Sequence, residues 1–112
     1  MTPPVDPLVQ AVVDQIVAEA RPLRVVLFGS RAAGTARPDS DINLLVVMPD
    51  GTSRRRAMVE IGARLPCDVG IDLLVTTPSL LADQVHNRGL VYREIVQTGR
   101  DLYVSDRAHA AQ

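Results

Sequence analysis

The stretch Ile42 to Met48 reads Ile-Asn-Leu-Leu-Val-Val-Met, apolar at every position but one. A strand with one wet face alternates apolar with polar residues. A strand apolar on both sides must be covered on both. The chain around this segment therefore has to supply covering elements, and four amphipathic patterns offer them. Asp6-Pro7 joins an N-cap residue to a residue suited to the first helical turn. Leu8, Val9, Val12, Val13, Ile16, Val17 and Ala20 then recur at helical spacing up to Pro22. Thr52 or Ser53 can cap a second helix through Ala57, Met58, Ile61 and Leu65. Thr77-Pro78 opens a third, carried by Leu80, Leu81 and Val85 to about Asn87 and broken at Gly89. A last helix holds Leu90, Val91, Ile95 and Val96 and stops at Gly99.

Two more strands are expected. Arg24 to Phe28 is a short one cut off by Gly29, and Val69 to Val75 is another. Asp101 to Val104 can add a fourth, and Pro49-Asp50-Gly51 is a turn. The fold class is α/β (α+β): one domain over residues 1–112, a small mixed sheet with helices packed on it, with 1–5 and 105–112 as frayed tails.

Composition excludes several functions. Phe28, Tyr92 and Tyr103 are the only aromatic residues, too few for a base-stacking surface. The formal charge of −1 does not suit a general polyanion binder, so no direct nucleic-acid partner is expected. No apolar run approaches the ~20 residues of a membrane span, and Met-Thr-Pro-Pro-Val-Asp-Pro lacks the pattern of a secretory signal. The expected location is cytoplasmic. Cys67 is the single cysteine and reads as a small buried apolar residue. His86 and His109 have no metal-ligand spacing to a thiol or carboxylate and read as surface residues.

Chemistry concentrates in the polar loop between the first two strands. Gly29-Ser30 follows a strand directly, so the backbone can approach a ligand, and the amides beyond it suit phosphate. It is not a Walker A loop, because no Gly-Lys-Ser/Thr follows; taken alone, the pair reads first as an ordinary tight turn. Asp41 and Asn43 are two apart and share one face of a strand. Asp72 lies among apolar strand residues, where an unpaired carboxylate is costly to bury. Pairing of the second and third strands can bring it beside Asp41 and Asn43; otherwise it is an edge-strand residue facing water. Arg31 and Arg37 flank the loop, either as phosphate contacts or as solvated surface charge. Arg54-Arg55-Arg56 opposes the dipole at a helix start and reads as a solvated face or a contact for an acidic partner.

Taken together, Gly29-Ser30-Arg31-Ala32-Ala33-Gly34, then Ser40-Asp41-Ile42-Asn43-Leu44-Leu45, then Asp72, resemble the minimal nucleotidyltransferases of the polymerase-beta superfamily. That family shows Gly-Ser, a short spacer, Asp-x-Asp and a third carboxylate on a later strand. The likeness spans nearly the whole chain, including Asp-Leu-Leu-Val-Thr-Thr-Pro at 72–78. It implies a polymerase-beta-like fold in which Gly29, Ser30, Arg31 and Ser40 bind the nucleotide. It implies that Asp41, Asn43 and Asp72 are the catalytic and metal-binding positions, with two Mg²⁺ ions and ATP as the substrate. It also implies an antitoxin, which silences a HEPN-type ribonuclease toxin by moving AMP to a tyrosine hydroxyl.

The departure from the family pattern is Asn43, where an Asp is expected. An amide keeps one ligating oxygen but loses a charge worth ~4 kcal/mol gross at ~4 Å from a monovalent cation, for an effective dielectric near ~20. Two readings follow: an enzyme with weakened metal binding, or a catalytically impaired antitoxin that neutralises its toxin by contact alone. An antibiotic-modifying transferase is disfavoured, because 112 residues leave little room for an acceptor-binding domain.

Overall fold

The computed structural model describes residues 6–37, 40–66, 70–87 and 90–106. The expected elements around the Ile42 segment are present. Helix α1 (Pro7–Ala20) starts under the Asp6 side chain, which accepts from the Leu8 N–H at 2.8 Å, and ends before Pro22. Strand β1 (Arg24–Phe28) runs into the one-turn helix α2 (Ser30–Ala33), and β2 (Ile42–Val47) returns beside it. Ser53, one of the two expected caps, accepts from the Arg56 N–H and begins α3 (Arg54–Arg64). Strand β3 (Ile71–Thr76) follows, then α4 (Pro78–Asn87), α5 (Leu90–Thr98) and β4 (Arg100–Val104).

The four strands form one mixed sheet in the order β3-β2-β1-β4. β1 pairs antiparallel with both β2 and β4, while β2 pairs parallel with β3. β2 is thus an inner strand, and its alternate residues feed two separate cores. Ile42, Leu44 and Val46 point toward α1 and α3, joining Val9, Val12, Val13, Ile16, Ala57 and Ile61. Leu45 and Val47 point the other way and pack with Val26, Leu81, Tyr92 and Ile95 of β1, α4 and α5. The apolar run at 42–48 is explained: helices cover the sheet on both faces, so neither set of side chains can be polar.

Three boundaries differ from expectation. β3 begins at Ile71 and reaches Thr76, one residue beyond Val75; Val69 lies outside the described residues. The short strand at the C-terminal end starts at Arg100, the register partner of Leu27, and the Arg24 side chain also bonds Asp101 at 2.8 Å. The C-terminal tail does not begin at Ser105. That residue is buried, and its N–H donates to the Leu23 carbonyl at 2.9 Å, so β4 is held one residue past its end. Cys67, Gly89, His109 and the tails at 1–5 and 107–112 lie outside the described residues. Among the described residues no helix is long and apolar enough to cross a membrane.

Candidate functional site

The parallel ladder between β2 and β3 sets Asn43 opposite Asp72. Register partners in neighbouring strands share a face, so both side chains rise on the side of α4 and α5. Asp41 precedes β2 by one residue and lies two before Asn43, and it meets Gly70 in the same way. A Cβ built on Gly70 would collide with Oδ1 and Cγ of Asp41, so the carboxylate lies directly over the Gly70 α-carbon. The Ile42 N–H donates to the Gly70 carbonyl at 2.8 Å, which holds the two chains at this spacing. Gly70 carries no obvious sequence mark beyond preceding β3 by one residue, and sequence reasoning passed over it.

The Gly29 bend approaches the same group from β1. Phe28 is the register partner of Asn43. Gly29 has φ 79° and ψ −154°, a left-handed backbone that L side chains rarely adopt. A Cβ there would collide with the Asn43 amide nitrogen. The Asn43 amide thus packs directly against the Gly29 backbone. Asp41, Asn43, Asp72 and Gly29 are therefore gathered at one end of one sheet face.

Exposure decides how the carboxylates behave. Asp72 is exposed, because β3 is an edge strand, so the burial penalty expected from its apolar neighbours does not arise. Asp41 is also exposed and Asn43 is half-buried. The donor set is two carboxylates and one amide oxygen. Hard oxygen donors of this kind suit Mg²⁺, which keeps waters and substrate phosphates in its remaining positions. No group of three or more His, Cys, Asp or Glu side chains is placed to hold a metal among the described residues. The residues present fit a divalent cation, with one negative charge fewer than an all-carboxylate set.

The remaining expected nucleotide contacts are arranged differently from one another. Ser30 opens α2 and is half-buried. Because α2 is one turn long, its dipole adds little; any phosphate contact there rests on individual first-turn amides. Arg31 turns inward. Its Nη2 and Nε donate to the Ser40 carbonyl at 2.8 and 3.2 Å, and Nη1 lies 3.6 Å from an Asp6 carboxylate oxygen. This guanidinium braces the loop immediately before Asp41. The Ser40 hydroxyl accepts from the Arg37 N–H at 2.8 Å and closes the same loop. Arg37 itself is exposed, as are Arg54, Arg55, Arg56 and His86.

Two recesses flank the sheet. A cavity of about 310 Å³ lies between α1 and α3, on the far side of the sheet from Asp72. Its charged walls are matched internally, Arg64 with Glu19 at 3.0 Å and Arg56 with Glu60 at 3.6 Å. A smaller recess of about 170 Å³ adjoins the Gly29 bend and is walled by Phe28, Glu94, Ile95 and Thr98.

Comparison with known proteins bears on the fold and the family. Residues 10–104 match the nucleotidyltransferase domain family. No curated protein matches the sequence. Among solved structures, a candidate nucleotidyltransferase from Sulfolobus solfataricus superposes with a TM-score of 0.61 at 18% identity, over 89% of this chain and 80% of that one. A toxin–antitoxin structure with AMP-PNP gives 0.55 at 19% identity, over 91% and 78%. A mutant MntA-HpeT toxin–antitoxin pair gives 0.52 at 20% identity, over 91% and 78%. At these identities the superpositions establish the shared fold. The match over residues 10–104 establishes the family: the chain belongs to the nucleotidyltransferase domain family.

Proposed function

We propose that this protein is the antitoxin of a toxin–antitoxin pair and transfers AMP from ATP, with Mg²⁺, to a tyrosine hydroxyl of a HEPN-type ribonuclease toxin. The observation that carries the reading is the Asn43–Asp72 register, with Asp41 seated over Gly70 and the Gly29 bend against Asn43. Oxygen donors from two strands face one spot beside a bend open to a ligand backbone. Relatives in fold include a toxin–antitoxin complex with AMP-PNP and the MntA-HpeT pair. Those features together support both the chemistry and the partner.

In this reading Asp41, Asn43 and Asp72 hold the cations. Mg²⁺, when bound, would neutralise charge as the tyrosine oxygen bonds to the α-phosphorus of ATP and the bond to the departing pyrophosphate breaks. Asp72, exposed at the sheet edge, is open to a protein acceptor and is placed to take the proton of the incoming hydroxyl. Gly29 and Ser30 lie where the triphosphate approaches. Arg31 and Ser40 act behind them, fixing the loop that aims Asp41.

A second reading rests on Asn43 itself: the fold binds the toxin, and neutralisation needs no transfer. One experiment separates the two. Purified protein is incubated with its toxin partner, ATP and Mg²⁺, and the partner is weighed by mass spectrometry. Transfer adds one nucleotide to the partner, and Asn43→Asp raises the rate, by on the order of ten-fold or more if the restored charge keeps even a third of its gross attraction for the cation. An unmodified partner in a stable, inactive complex, unchanged by Asn43→Asp, would establish neutralisation by contact.

A further inference from the structure

The recess beside Gly29 has features that the metal and phosphate chemistry leaves unused. It is walled by Phe28 and Gly29 from the end of β1 and by Glu94, Ile95 and Thr98 from α5. It lies on the sheet face that carries Asn43 and Asp72, and Gly29 is a wall common to both. At about 170 Å³ it is smaller than the ~300–1,000 Å³ usual for a whole ligand, so it suits one part of a nucleotide. Its walls decide which part. Phe28 and Ile95 are apolar, and Glu94 carries a negative charge. A triphosphate would be repelled by that carboxylate, whereas a flat, neutral ring with N–H donors is favoured by all three. The Glu94 side chain has no hydrogen-bonding or ionic partner among the described residues. Thr98 donates its hydroxyl to the Glu94 carbonyl at 2.8 Å, which ties these two recess residues together along α5.

We propose that this recess receives the base of the nucleotide and that the Glu94 carboxylate accepts a hydrogen bond from an exocyclic amino group on it. The inference rests on the nucleotidyltransferase reading above and adds a preference for amino-bearing bases. The phosphates then extend from Gly29 toward Asp41 and Asp72, away from the Glu94 charge.

The test measures binding by calorimetry in the presence of Mg²⁺, with ATP, ITP, 2′-deoxy-ATP and inorganic tripolyphosphate. ITP replaces the amino group of ATP with a carbonyl. The native chain is expected to bind ATP more tightly than ITP by on the order of ten-fold, the value of one hydrogen bond to a charged group. Glu94→Gln, at an exposed position, can donate to a carbonyl and is expected to shrink or reverse that ratio while leaving tripolyphosphate binding unchanged. An ATP-to-ITP ratio unaltered by Glu94→Gln would overturn the proposal. So would an equal loss of tripolyphosphate binding, which would place Glu94 at the phosphate end. Discrimination against 2′-deoxy-ATP in place of ITP would assign Glu94 to the ribose and overturn it too. Failure of the native chain to bind even tripolyphosphate would remove the nucleotidyltransferase reading itself, and this inference with it; tripolyphosphate binding without base discrimination removes only the inference.

Discussion

The two faces of the sheet are built from the same strands but serve different ends. On the side of α1 and α3, β2 contributes Ile42, Leu44 and Val46, all buried from one end of the strand to the other. On the side of α4 and α5 it contributes Asn43, Leu45 and Val47, and the helices cover only the last two completely. Asn43 stands where that cover stops. The first face can be apolar throughout because nothing has to enter it. The second is closed at one end for stability and open at the other, where Asp41, Asn43 and Asp72 gather beside Gly29. A single six-residue strand thus holds core and site at once, separated only by the alternation of its side chains.

The sharpest way to break this comparison is to damage each face and ask what is lost. Leu44 is 0% exposed on the closed face. Leu44→Ala is expected to lower unfolding free energy by ~2–5 kcal/mol, read from the urea midpoint, because a fixed core collapses only partly around the cavity. A loss below ~1 kcal/mol would show that this face is not close-packed.

Gly70→Ala should do the reverse. The atoms a Cβ would meet are the carboxylate end of Asp41, which can swing aside, so stability should change by no more than ~1 kcal/mol. The displaced carboxylate should reduce Mg²⁺-dependent nucleotide transfer by on the order of 10²-fold, measured in the native and Asn43→Asp backgrounds. Equal transfer by Gly70→Ala and its parent would separate Asp41 from the site.

The smallest effect tests how the site-side helices are fastened. Asp50 accepts from the Ser79 N–H at 3.1 Å and the Ser79 hydroxyl at 2.8 Å, tying the β2–α3 turn to the start of α4. The Ser79 backbone bond, then the hydroxyl bond, holds its carboxyl below the ordinary 3.8. A group lowered on folding contributes stability in full above its unfolded value and loses it as pH falls through the folded one. Asp50→Asn should therefore lower stability slightly at neutral pH, where the ionised carboxylate contributes in full, and flatten the acid limb so that the two proteins converge below about pH 4. An identical acid limb in both proteins would show that α4 does not depend on this tie.

Much of the fold could be read in advance, and the reasons are local. The Asp6-Pro7 and Ser53 caps, the helical spacing of Val9 to Ile16 and the unbroken apolar run of β2 each act within a few residues, so a linear pattern records them. The composition of the candidate site was visible as well, because Gly29-Ser30, Asp41 and Asn43 lie within one loop and strand. The role of Arg31 was not. Its charge suggested a phosphate contact or a solvated surface group, and the structure adds bonds from its guanidinium to the Ser40 carbonyl. Gly70 and Glu94 escaped as well: neither is unusual in its own neighbourhood.

What the residues alone determined is the set of elements and the oxygen-bearing side chains available for chemistry, since propensity, capping and alternation are short-range. Which strand neighbours which, and in what register, was left to tertiary structure. A shift of β3 by one residue against β2 would turn Asp72 to the opposite face with no change in its local sequence. The meeting of Asp72 with Asn43, the seat of Asp41 on Gly70 and the approach of α5 to the Gly29 bend are contacts between distant segments. They form only when both faces of the sheet are buried together.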